Sequence, residues 1–262
     1  MAAISPKMPD STPESLVNPG RPDAADFRDR VTAVIEILLC SSIPTQLAIG
    51  ALLGLAGIPA RDASGNLSLT YVVVLSLTDT MLLIVMMILL MHAHGESARA
   101  TWLGPADGRG ARAVRDGLVG LGTVPLVFVG VGILLNAIRL FVPSLHNVPT
   151  NPLESLASTP GQAALFSLVA ILAGGLREEL QRAFMLRRFE QYLGGATVGI
   201  WVISIAFGLG HMMQGWDAVI TTATLGAFWA WMYIQRRSSV GPIVSHAGFN
   251  SLEILRVAVI GQ

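Results

Sequence analysis

The sequence predicts an all-α polytopic membrane protein, a bundle of about seven, or eight, transmembrane helices. Three observations predict it. Apolar residues make up 52% of the 262-residue chain and charged residues only 13%, against roughly a quarter charged in a soluble domain, and mean hydropathy is +0.61. Stretches near the ~20 apolar residues that a bilayer core demands recur along the chain. Arg61 apart, the loops between them alternate between Arg-bearing and Arg-free. Seventeen basic and seventeen acidic residues cancel to zero net charge, which leaves no electrostatic basis for nucleic-acid binding. One cysteine, Cys40, rules out an intrachain disulfide framework.

Residues 1–30 are polar and rich in Pro, Ser and Asp, with no apolar segment behind a basic start. They read as a disordered cytoplasmic tail rather than a signal peptide, and residues 31–262 as the membrane domain. Seven apolar stretches follow, near 31–59, 68–92, 114–141, 161–188, 197–214, 217–235 and 241–260. The first is long enough to hold a kink at Pro44, and the first two each carry an acid, Glu36 and Asp79. Pairing with an Arg or a neighbouring helix is expected for both, because an unpaired charge at mid-membrane is costly. The third, from Leu118, is free of charge through its core. No internal repeat is visible, so a transporter of inverted halves gains no support.

Orientation follows from the loops. Arg99, Arg109, Arg112 and Arg115 lie in the 92–116 connection, Arg187 and Arg188 before the next turn on that side, and Arg236 and Arg237 before the third. The 142–160 and 214–217 connections carry no Lys or Arg. Positive residues mark the cytoplasmic side, so the N-terminus is expected in the cytoplasm. A bacterial inner membrane is the expected location.

Polar residues gather in the last four spans. The fourth contains Arg177, Glu178, Glu179 and Arg182. Both acids are within i,i+3 or i,i+4 reach of Arg182. Adjacent helical residues point about 100° apart, so one acid can stay on Arg182 while the other faces a cavity. A snorkelling cluster at a helix end would have the same composition. The fifth span ends near His211, one turn beyond Phe207; a helix–helix hydrogen bond would also explain such a His. The seventh carries His246, Asn250 and Glu253 at i, i+4 and i+7, a polar stripe on an apolar helix. A packing seam, with Glu253 neutralised by Arg256, is the alternative. Around the Gly194–Gly195 turn, Glu178 lies 16 residues before Gly194 and His211 lies 16 after Gly195, at matching depth. His246, near the start of its span, should sit nearer the cytoplasm by roughly 9–12 Å at 1.5 Å per residue. A tilted helix or a deeper turn must close that gap.

This pattern resembles the CPBP family of membrane proteases, which includes type II CAAX prenyl endopeptidases and bacteriocin-processing or immunity proteins. The resemblance spans about residues 160–255 and rests on three motifs in the family's order: Glu178-Glu179…Arg182, Phe207…His211 and His246…Asn250. The first is one residue shorter than the family's Glu-Glu-x-x-x-Arg. Aligned without a gap on Arg182, Glu178 matches the second Glu and Arg177 stands in place of the first. Aligned on the acid pair, the helix has lost a residue and Arg182 has rotated.

The resemblance implies an intramembrane endopeptidase acting on a peptide or membrane-protein substrate in the bilayer. Glu178 or Glu179 would be general base on a water and His211 would share its proton. His246 and Asn250 would donate to the oxyanion, and Arg182 would hold the acids. This route requires no cofactor. A zinc variant would use Glu178, His211 and His246 with an open position for water. A catalytically impaired member acting as a binding or immunity protein is the second reading, and a proton-coupled transporter a more distant third.

Overall fold

The computed structural model describes residues 25–260. Most of the expected tail, residues 1–24, lies outside the described residues. Among the described residues the chain is helical, and its only extended pairing is an isolated bridge between Arg61 and Leu67. The all-α polytopic fold follows.

Helix α1 (Phe27–Leu39) starts four residues earlier than the apolar pattern indicates, because Asp26 caps it by accepting a hydrogen bond from the Asp29 amide. The expected break in the first stretch occurs at Cys40–Ser42. Ser42 is left-handed (φ 67°) and Pro44 falls in the first turn of α2 (Ile43–Leu55), where its missing N–H costs nothing. Helix α3 (Leu69–Ala93) is capped by Ser68. A short helix, α4 (Ala98–Leu103), precedes α5 (Arg109–Phe141), which runs through Pro125. Helix α6 (Pro160–Val169) continues through a wide π-helical segment, Ala170–Arg177, into α7 (Glu178–Tyr192). Helices α8 (Ala196–Leu209), α9 (Trp216–Arg236) and α10 (Val240–Ile260) complete the bundle.

Helices therefore stand at all seven expected places. Among the described residues, four stretches are long and apolar enough to cross a membrane by length and composition: Phe27–Leu55, Leu69–Ala93, Arg109–Phe141 and Val240–Ile260. The 160–192 helix is long but interrupted by charge, and α8 is shorter than the expected fifth span. It ends at Leu209 because Gly210 and a short 3₁₀ turn at Met212–Gln214 redirect the chain. His211 thus lies just past a helix end rather than inside a span.

Small residues set the helix contacts. A Cβ on Gly175 would lie 2.6 Å from the Ala247 Cβ, and one on Gly208 would lie 2.8 Å from the Ala223 Cβ; such approaches are how membrane helices pack closely. The main core gathers Leu83, Met87 and Met91 of α3 around Phe184 and Leu186 of α7.

At one end of the bundle, ion pairs join the Arg-bearing connections. Arg188 of α7, fully buried, reaches Glu36 of α1 and, at 2.7 Å, Glu96 of the 94–97 loop. His94 meets Glu36 at 2.6 Å and Arg187 meets Glu96 at 2.8 Å. Burial pushes the Glu96 carboxyl up, but hydrogen bonds from Gln191, Arg188 and Arg187 outweigh it and hold the group below its ordinary range. At the opposite end Asp217 pairs with His146 at 2.8 Å and Arg139 at 3.4 Å. The expected partners of the intramembrane acids are therefore present: Arg188 for Glu36, and Arg177 for Asp79.

Candidate active site

The π-helical segment carries the first part of the site. It contains Gly174 and Gly175, which let α10 approach the chain closely, and the Asn250 amide donates to the Ala170 carbonyl at 3.4 Å. Single π-turns inside α-helices are rare and concentrate at functional places. This one ends at Arg177, so Glu178 and Glu179 open a fresh α-helix.

The two acids then divide. Glu179 is 2% exposed and accepts from Arg182 twice, at 3.0 and 3.2 Å, and from His246 Nδ1 at 2.9 Å. Glu178 turns to a cavity instead, and its partner is Arg177 Nη2, at 3.0 Å. Of the two acids within reach of Arg182 in the sequence, Glu179 is the one that stays on it and Glu178 is the one that faces the cavity, where Arg177 takes it at the step at which the wide turn closes into α-helix.

His246 reaches this level despite its position early in α10. The turn before it is sunk into the protein: Ser238 and Ser239 are buried, and the Ser239 amide donates to Trp102 of α4 at 2.8 Å. Trp102 in turn donates from Nε1 to the Leu180 carbonyl at 3.0 Å. The deeper turn, wedged by α4, closes the gap that residue counting leaves.

Because Nδ1 of His246 faces an ionic carboxylate already held by Arg182, Nδ1 donates and Nε2 is the nitrogen turned outward. Nε2 lies 3.9 Å from Glu178 Oε2. The ring is pinned from behind by Trp229, stacked at 3.8 Å between centroids and 14° between planes. Phe207 meets its edge at 6.2 Å while carrying the Arg182 guanidinium on its face at 4.6 Å.

His211 lines the same cavity from the end of α8. Its Nδ1 donates to the Phe207 carbonyl at 2.8 Å, leaving Nε2 as its unengaged ring nitrogen. The cavity, about 670 Å³, is walled by Glu178, His211, His246 and Asn250 together with apolar rings such as Phe166 and Phe249. It reaches the end of the bundle formed by the 142–159 and 210–215 loops, where His146 and Asp217 belong to its wall.

All six sequence-predicted residues are accounted for. Glu178, Glu179, Arg182 and His246 form one contact chain, and His211 and Asn250 face the same space without a direct bond to that chain. Glu253 does pair with Arg256, at 3.0 Å. A zinc ion would need Glu178, His211 and His246 gathered on one point. Among the described residues no group of three or more His, Cys, Asp or Glu is arranged to hold a metal ion, while the engaged Nδ1 atoms leave Nε2 of each imidazole as the nitrogen through which a ligating His would bind.

Two participants were missed by sequence reasoning. Arg177 belongs to the charged set of the fourth span but receives no role from the sequence, and Trp229 carries no motif. An aromatic in an apolar helix is indistinguishable from core until its neighbour is known.

Compared with known proteins, residues 160–252 match the family Type II CAAX prenyl endopeptidase Rce1-like. The match covers α6 to the middle of α10 and leaves α1–α5 outside. It supports assigning the chain to the CPBP, or CAAX, protease family, and with the long apolar helices it supports an integral membrane protein. Neither the curated proteins nor the solved structures give a match.

Proposed function

We propose that this chain is an intramembrane endopeptidase in which Glu178 activates a water at the wall of the cavity. The observation that carries the reading is the 3.9 Å between Glu178 Oε2 and His246 Nε2. That separation is too long for a direct hydrogen bond and suits one bridging water. Glu179 is the poorer base, because Arg182 and His246 already occupy its oxygens.

Glu178 takes a proton from the water, and the oxygen attacks the scissile carbonyl. His211 Nε2, on the same cavity wall, orients the water or shares its proton. The oxyanion is met by the Asn250 amide and by His246 Nε2. To donate there as well as to Glu179, the His246 ring carries both protons, with Glu179 as counter-charge. Glu178 then returns its proton to the leaving amine, giving a free acid and a free amine. Each oxyanion donor is worth ~10²–10³ in rate. No metal takes part in this scheme. On this reading the Arg-bearing end faces the cytoplasm of a bacterial inner membrane, and the cavity opens toward the opposite face.

The substrate is a peptide or membrane-protein segment. The test is proteolysis in lipid vesicles against a mixed peptide and membrane-protein library, with wild type beside Glu178→Gln and His211→Ala, each with and without a chelator. Wild-type cleavage reduced ~10²–10⁴-fold by Glu178→Gln is expected, the usual worth of a general base. Equal cleavage by wild type and Glu178→Gln overturns the assignment, and chelator sensitivity replaces the water scheme with a metal one.

One observation favours a second reading: Arg177 occupies one oxygen of the acid that should act as base. On that reading the protein is a binding or immunity protein of the same family, and its protective effect would survive Glu178→Gln.

A further inference from the structure

We infer that Arg177 is a positioning residue for Glu178, held in place by Asp79 of α3, so that a helix outside the family-matched segment completes the site. The inference rests on the reading of Glu178 as the base.

Arg177 is 6% exposed, and its guanidinium makes four donor contacts. Nε donates to the Ala173 carbonyl at 3.1 Å, one turn back along the π-helical segment. Nη1 donates to Ser42 Oγ at 2.5 Å and to Asp79 Oδ2 at 2.6 Å. Nη2 donates to Glu178 Oε1 at 3.0 Å. A guanidinium is a rigid planar fork, so the three contacts made by Nε and Nη1 fix the direction in which Nη2 donates. With Oε1 of Glu178 engaged, Oε2 is the oxygen directed at His246 Nε2.

Asp79 is fully buried, and its other contacts come from α2: Thr45 Oγ1 donates to Oδ1, and Gln46 Nε2 donates to Oδ2 at 3.2 Å. Its carboxylate supplies a counter-charge for Arg177, so the guanidinium holds Glu178 without being neutralised by it alone. Neighbouring residues on an α-helix do not ordinarily face each other; the change from π to α between Arg177 and Glu178 is where this contact becomes possible.

The test separates positioning from simple stability. Arg177→Met alone strands the buried Asp79 charge, so the informative protein is the double variant Arg177→Met/Asp79→Asn, which removes both charges together. It is compared with wild type by thermal melting in detergent, by kcat and KM for peptide cleavage, and by the rate at which a hydrophobic carbodiimide modifies Glu178, read by peptide mass spectrometry. The expected double variant melts near wild type and keeps KM within about twofold. Its kcat falls about 10–100-fold, the scale of a misplaced reacting group, and Glu178 is modified severalfold faster. A folded double variant with wild-type kcat and wild-type modification rate overturns the inference. Should the double variant not fold, Arg177→Lys keeps a charge for Asp79 but lacks the fork; faster modification of Glu178 supports the inference and an unchanged rate overturns it. Faster modification in a protein whose wild type cleaves nothing overturns the protease reading and leaves the positioning contact standing.

Discussion

The indole of Trp229 lies flat against the imidazole of His246, their centroids 3.8 Å apart and their planes 14° apart. Trp229 is itself 1% exposed and donates from Nε1 to Ser245 Oγ at 3.1 Å, a hydroxyl that also accepts from Thr123 Oγ1 at 2.9 Å. Three helices thereby set the plane of one imidazole. Trp229→Ala is expected to cost about 3–5 kcal/mol of stability, as large aromatic truncations do, and to lower kcat. Trp229→Phe keeps a ring on His246 and should retain most activity. Melting curves and cleavage rates of the two variants check this; an inactive but fully stable Trp229→Phe would contradict it.

The two adjacent acids should fail in different ways. Glu178 borders the cavity, so Glu178→Gln should abolish cleavage while shifting stability by less than about 1 kcal/mol, in the range of substitutions that leave no buried group stranded. Glu179→Ala leaves the buried Arg182 without its counter-charge and should cost about 3–5 kcal/mol. Denaturation midpoints measured beside activity distinguish them, and equal destabilisation by both would contradict the division.

Two neighbouring glycines give a second contrast. A Cβ on Gly174 would lie 2.6 Å from Asn250 Nδ2, the far end of a side chain that can swing away. A Cβ on Gly175 would meet the Ala247 Cβ at 2.6 Å and its backbone Cα at 2.9 Å, so whole helices must part. Gly174→Ala is therefore expected to reduce activity about tenfold or more by displacing an oxyanion donor, with a small change in melting temperature. Gly175→Ala should lower the melting temperature first. The pair is read by thermal melting and cleavage rate on the same preparations.

Acid should loosen the Arg-bearing end. The Glu96 carboxyl is held below its ordinary range because hydrogen bonds from Gln191, Arg188 and Arg187 outweigh the upward push of burial. A depressed carboxyl contributes stability that is fully present above the unfolded value of ~4.3 and is lost as pH falls through the folded value beneath it. Melting temperature followed from pH 7 to pH 3 should drop at the acid end in wild type. In Glu96→Gln it should be lower at neutral pH and flatter below; an identical acid-end slope would contradict the assignment.

The fold was legible because a bilayer imposes simple rules. Length and apolarity marked every long apolar stretch but not the short α4, which lies in the expected 92–116 connection, and the Arg-bearing connections meet at one end through Arg188, Glu36 and Glu96. Helix ends were less legible where local chemistry overrode hydropathy, as at the Asp26 cap and at Gly210. The six polar residues were visible because charge, imidazole and carboxamide are conspicuous in apolar stretches.

What residue order determined by itself was the set of long apolar stretches and the polar residues they carry, since these follow from hydropathy, periodicity and the cost of burying charge. Only the tertiary structure decided which acid takes which partner. That choice depends on a π-turn, on a sunken Ser238–Ser239 turn and on Asp79 arriving from α3, 98 residues before Arg177. No local pattern encodes such contacts, because their energies are settled between helices that the chain brings together only on folding.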